Sequence, residues 1–172
     1  LGVLLPLVQQ HPDYTPARYN LAMTYDALKD YPKAEAELKG LLAKKPDDGT
    51  AANALGYMYA ERGINIAEAK RLIEIALKEE PESGAYLDSM GWVCYRLGDF
   101  AKALEYLTKA VERQKDAVIS EHLGDVCFKL GRRDEALKHY EDASRLDEAG
   151  DTSAAVKMAA LKAGKDPTLV SR

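Results

Sequence analysis

The chain has 172 residues, 47% of them hydrophobic, with 28 acidic side chains against 24 basic ones and a formal net charge of −4. That length buries a real core, the composition excludes a disordered chain, and the mild acidity gives no electrostatic reason to bind nucleic acid or an anionic membrane. Ten tyrosines stand against two phenylalanines and one tryptophan, so most rings carry a hydroxyl that needs water or a partner.

The opening LGVLLPLVQQ is apolar but falls short of the roughly 20 residues of a membrane span, and it lacks the basic leader and cleavage site of a secretion signal. Residues 1–14 read as the second helix of a truncated unit, because Pro12 lies in register with Pro46. From residue 15 a pattern repeats: Ala22, Gly56, Gly91 and Gly124 are spaced 34, 35 and 33 apart, each preceded by an apolar residue (Leu21, Leu55, Met90, Leu123). Twelve or thirteen residues later come Ala34, Ala69, Ala103 and Ala136, and seven beyond those Leu41, Ala76, Ala110 and Ala143. Each period holds two runs of helical spacing parted by a turn, at Lys29-Asp30, Arg62-Gly63-Ile64, Leu97-Gly98-Asp99 and Leu130-Gly131-Arg132. The prediction is four helical hairpins, over 15–48, 49–83, 84–116 and 117–150, the second with an extra residue around Ile64 to Ala67. Small residues matched on both helices let two backbones approach closely, and alternating β-branched runs are missing. A further helix over 151–164, capped by Asp151 or Thr152 and stopped by Gly164, is expected to close the apolar end, leaving a tail over 165–172. The whole chain reads as a single all-α domain.

The catalytic inventory is thin. There is no glycine-rich phosphate loop, no G-x-S-x-G, no H-E-x-x-H and no C-x-x-C, and His11, His122 and His139 are scattered. Cys94 and Cys127 occupy the same position in adjacent periods. A redox pair, or a metal site with His122, competes with two small buried apolar groups. The second reading prevails, since stacked helices lie on the order of 10 Å apart and a disulfide needs Cα atoms within about 7 Å. No catalytic residue, metal or cofactor is expected.

Residues 84–117, GAYLDSMGWVCYRLGDFAKALEYLTKAVERQKDA, place Met90-Gly91, Gly98-Asp99-Phe100, Ala103, Leu107 and Ala110 where tetratricopeptide repeats carry their signature, and the period fits. The chain resembles that family over almost its whole length. The family's Trp is replaced by Arg18, Ala52, Leu87 and Ser120, and its closing Pro is absent at Lys115 and Glu148. The resemblance implies a right-handed superhelical solenoid whose first helices line a concave groove. Its groove positions fall here on Tyr19, Met23 and Asp26, on Asn53, Tyr57 and Glu61, on Asp88, Trp92, Tyr95 and Arg96, and on Glu121, Asp125 and Phe128. This set is aromatic and acidic. It reads either as helix packing with solvated carboxylates or as anchors for a partner peptide or helix with apolar and basic residues, and the convergence of rings and acids on one face favours binding. The cationic clamp with which some family members hold a chaperone's terminal carboxylate is missing, since Tyr19, Met23, Ala54, Ala85 and Ser89 stand at its positions.

The expected function is a protein-interaction scaffold without enzyme activity, without nucleic-acid binding and without membrane insertion by this segment. The alternative is a self-associating module that buries Leu4, Leu5 and Leu7 against a second copy. The stretch Asn53–Lys138 also looks like the C-terminal repeats of bacterial envelope proteins of this family, some of them outer-membrane lipoproteins that assemble periplasmic proteases or cell-wall enzymes. That resemblance points to the periplasm or outer membrane, with cytoplasm as the alternative.

Overall fold

The computed structural model describes residues 1–148, 150 and 152–170. Among these it shows ten α-helices, a closing 3₁₀ turn and no strand. The single domain expected from the sequence divides, by its contacts, into two compact units, Leu1–Pro81 and Glu82–Arg172. Stacked repeats touch only their neighbours, so such a division falls naturally between hairpins.

The first unit holds α1 (Leu4–Gln10), α2 (Thr15–Ala27), α3 (Tyr31–Lys44), α4 (Gly49–Arg62) and α5 (Ile66–Glu79). The second holds α6 (Gly84–Arg96), α7 (Phe100–Arg113), α8 (Ala117–Lys129), α9 (Arg133–Leu146), α10 (Ala154–Lys162) and the 3₁₀ turn Pro167–Leu169. Pairing is local: α2 with α3, α4 with α5, α6 with α7 and α8 with α9 are the hairpins, and α10 packs on α9.

The small residues that set the period lie where helices touch. Ala22, Ala34, Ala69, Ala103 and Ala136 are fully buried. A Cβ built on Gly56 would stand 2.8 Å from Ile73 Cγ1, one on Gly91 2.6 Å from Leu107 Cγ, and one on Gly124 2.6 Å from Tyr140 Cε1. These approaches are closer than carbon atoms tolerate, so glycine is what permits the hairpin to close there.

Turns follow the same logic. Lys29, Gly63, Gly98 and Gly131 take φ of 59°, 66°, 77° and 76°, the left-handed conformation that ends each first helix. In the second hairpin the extra residue follows Gly63, and Asn65 absorbs it with a second left-handed φ of 49°. Asp48, Asp99 and Asp116 cap α4, α7 and α8, accepting from Ala51 N at 3.0 Å, Lys102 N at 3.2 Å and Val118 N at 2.8 Å. The second helices α3 and α5 stop two residues before Pro46 and Pro81, and α7 and α9 stop two residues before Lys115 and Glu148, which replace that proline. Proline therefore does not set these helix ends; each helix runs into a non-helical residue (Lys45, Glu80, Gln114, Asp147) before the next element.

At the C-terminus the cap differs from expectation. Asp151 lies outside the described residues, and Thr152 gives both its N–H (2.9 Å) and its hydroxyl (2.6 Å) to Asp147 Oδ2. Helix α10 starts after Ser153, which does not cap it either. Gly164 follows the helix with φ 78°, and Lys165 N closes on Ala160 O at 2.9 Å.

Candidate partner-binding faces

In the first unit, Tyr19, Met23 and Asp26 project from α2, and Asn53, Tyr57 and Glu61 from α4. Glu61 is exposed and the other five are half-buried. Burial raises the Asp26 carboxyl above its ordinary value, the neighbouring Glu61 carboxylate raises it further, and Arg62 opposes. The two helices thus bring a pair of like charges close together. Asn53 Oδ1 is buried and accepts no hydrogen bond. A buried carbonyl oxygen left without a donor is costly, and a donor supplied from outside would relieve it.

The second unit treats the same repeat positions differently. Asp88, Trp92, Glu121 and Asp125 are only 5, 7, 6 and 2% exposed. Asp88 Oδ1 lies 2.9 Å from His122 Nδ1. Trp92 is sandwiched, with ring centroids 4.6 Å from Tyr95 and 4.0 Å from His122 at interplanar angles of 4° and 14°. Arg96, which is exposed, reaches over the indole at 5.2 Å.

Glu121 and Asp125 face the chain's own C-terminal segment. Glu121 accepts from Ser153 N at 2.8 Å and from the Ser153 hydroxyl at 2.6 Å. Lys157, 6% exposed, pairs with Glu121 and Asp125, each at 2.6 Å, and the Tyr140 hydroxyl donates to Asp125 at 2.7 Å. Further along, Lys129 meets Asp166 at 3.1 Å. Tyr95 is pushed up to about 12, first by burial and then by the Asp125 carboxylate, against the Thr168 hydroxyl beside it.

Burial pushes the Glu121 carboxyl up, but Lys157 and Ser153 together outweigh it and hold the group below the usual carboxylate range. The stability this contributes is present above the unfolded value of about 4.3 and is lost as pH falls through the lowered folded value. Asp125 carries the opposite sign, because burial holds it above its ordinary value despite Lys157, Tyr140 and His122.

A sequence profile described as tetratricopeptide repeat matches residues 6–56, and one described as anaphase-promoting complex, cyclosome, subunit 3 matches residues 62–143. A TPR repeat-containing protein of Pseudomonas aeruginosa is 38% identical over 118 residues, covering 69% of this chain and 20% of that protein. The chain is a tetratricopeptide-repeat protein. A thermophilic TPR protein of Thermus thermophilus shares the fold with a TM-score of 0.81 at 23% identity, over 94% of this chain and 88% of that one. YrrB, described as a TPR protein with an unusual peptide-binding site, matches with a TM-score of 0.64 at 24% identity, over 97% and 87% of the two chains. The chain spans about a fifth of the length of the curated relatives it matches.

For this TPR protein the sequence reading of one open groove needs correcting in the second unit. Asp88, Trp92, Glu121 and Asp125 are buried in the helix packing or under α10, because the C-terminal segment supplies the hydroxyl and the cation that satisfy the two last-named carboxylates. Tyr95 and Phe128 are half-buried and Arg96 is exposed. Sequence reasoning missed Ser153, Lys157, Tyr140 and the Asp88–His122 pair. Two signals were available: Lys157 falls between Ala154 and Leu161 on the inward stripe of a helix whose one other charged residue, Lys162, ends its last turn, and His122 lies one period after Asp88.

Proposed function

We propose that this chain is a non-catalytic scaffold that binds a peptide or helix of a partner protein on the acidic, aromatic face of its first unit. Proteins of the tetratricopeptide family bind protein or peptide partners, and this chain shares their fold. The observation that carries the finer reading is the combination on α2 and α4: half-buried Tyr19, Met23 and Tyr57, the Asp26 and Glu61 carboxylates, and the buried Asn53 oxygen that lacks a donor. Rings give contact area at low entropic cost, the carboxylates favour a basic ligand, and an amide carbonyl suits a backbone N–H. Among the described residues no helix is long and apolar enough to cross a membrane.

Charge reversal tests the electrostatic part. Glu61→Lys should weaken binding of a basic, apolar peptide by about tenfold at low salt, with the difference shrinking as salt is added. Titration of one such peptide against both chains measures it, and equal affinities at every salt concentration would remove the carboxylates from the reading.

Self-association has one observation in its favour, the exposure of Val3 (80%), Leu1 (43%) and Leu5 (36%) at the N-terminal edge. A monomer in sedimentation at high concentration eliminates it. A setting in the bacterial envelope rests on the resemblance of Asn53–Lys138 alone.

A further inference from the structure

Helix α10 is held to the second unit by few apolar groups. Of its nine residues only Ala154, Lys157 and Leu161 are buried, and Pro167 is buried in the turn beyond. The rest of the attachment is polar and in strict register. Ser153 and Lys157, four residues apart, meet Glu121 and Asp125, also four apart, and Arg133 donates to the Leu161 carbonyl.

The energetics of such a contact are lopsided. A buried ion pair loses hydration on both partners, so it fixes orientation strongly while adding little net stability. Removing the lysine while the carboxylates stay buried is expensive, but undocking the helix rehydrates all three charges at once. A short segment attached in this way belongs to the low-stability end of a fold, where local opening precedes global unfolding.

We propose that the surface of the second unit around Glu121 and Asp125 is a docking site for a helix that carries a hydroxyl, a lysine four residues later and a leucine four beyond that, and that α10 is its built-in, releasable occupant. The chemistry of the α10 contact defines the ligand. The hydroxyl and the N–H beside it satisfy Glu121, the ammonium bridges Glu121 and Asp125, and the leucine fills the place Leu161 takes with no exposure. A partner helix with this pattern would displace α10, and the bound fraction would follow the population of the open form. The proposal deepens the scaffold reading by naming a second site and its ligand, and it does not depend on the first unit's face.

The test uses the protein's own segment as probe. A labelled peptide of residues 152–170 is titrated against the full chain, against the full chain with Lys157→Ala, and, as a Lys157→Ala peptide, against both. The Lys157→Ala chain should bind the wild-type peptide at least about tenfold more tightly than the unaltered chain does, because its own helix no longer competes. The altered peptide should lose about tenfold or more on either chain. Equal binding by the two chains, or by the two peptides, overturns the proposal. Hydrogen exchange of the unaltered chain tests it even if the variant fails to fold: α10 amides should exchange at least about a hundredfold faster than those of α8 and α9. Exchange of all three helices together would show that α10 is integral and end the proposal. Since the probe is the chain's own sequence, failure of peptide binding at the first unit leaves both outcomes readable.

Discussion

Gly124→Ala should destabilise the second unit by about 2 kcal/mol although it adds one methyl group to a helix, where alanine is ordinarily preferred to glycine by about 1 kcal/mol. The new Cβ would stand 2.6 and 2.7 Å from two carbons of the Tyr140 ring. That ring cannot step aside: Tyr140 has no exposed surface and its hydroxyl is fixed to Asp125 at 2.7 Å. Burial, followed by the field of Asp125, also pushes the Tyr140 hydroxyl up, so it stays protonated and keeps donating. Urea unfolding followed by circular dichroism measures the loss. In the first hairpin these two positions are held by Ala22 and Leu38, an alanine packed opposite a leucine. The double change Gly124→Ala with Tyr140→Leu should therefore cost less than the sum of its parts.

Trp92→Ala should cost about 3–5 kcal/mol of stability, the range for a buried aromatic residue removed from a core. The indole is 7% exposed and held between Tyr95 and His122. Its removal would leave both rings without a stacking partner and open a cavity beside the Asp88–His122 hydrogen bond. Thermal unfolding of the two chains checks the figure, and a change below about 1 kcal/mol would mean that the stack contributes little. The residue is consequently a poor probe of binding, because any loss of partner would be confounded by loss of fold. Tyr57, half-buried on α4, occupies the same repeat position and serves that purpose.

The contrast between Tyr57 and Trp92 shows where the sequence was legible. Repeat length, hairpin pairing and turns were visible because they depend on backbone demands that few residue types meet: a small or missing side chain at Ala22, Gly91 and Gly124, and a left-handed φ at Gly98 and Gly131, which Lys29 also adopts in the first hairpin. The register even survives the loss of the closing proline at Lys115 and Glu148, since α7 and α9 keep their ends. Repeat position, however, says only which way a side chain points, and not what lies opposite. Asn53 and Glu121 share one position and Tyr57 and Asp125 another, yet Glu121 and Asp125 are covered by α10. That helix is too short to announce its docking surface by amphipathicity. Its one inward lysine was the available sign, and such a residue gains meaning only when acids are found at a matching spacing.

The central claim, that the first unit's face recognises a partner through its aromatic and acidic side chains, is tested most directly by selecting peptides on the unaltered chain from a random library and titrating them against the chain with Tyr57→Ala. The account predicts that selected peptides are rich in apolar and basic residues and lose about thirtyfold in affinity, equivalent to roughly 2 kcal/mol, while the unfolding midpoint of the variant stays close to that of the unaltered chain. Selected peptides that bind the two chains equally well would contradict it.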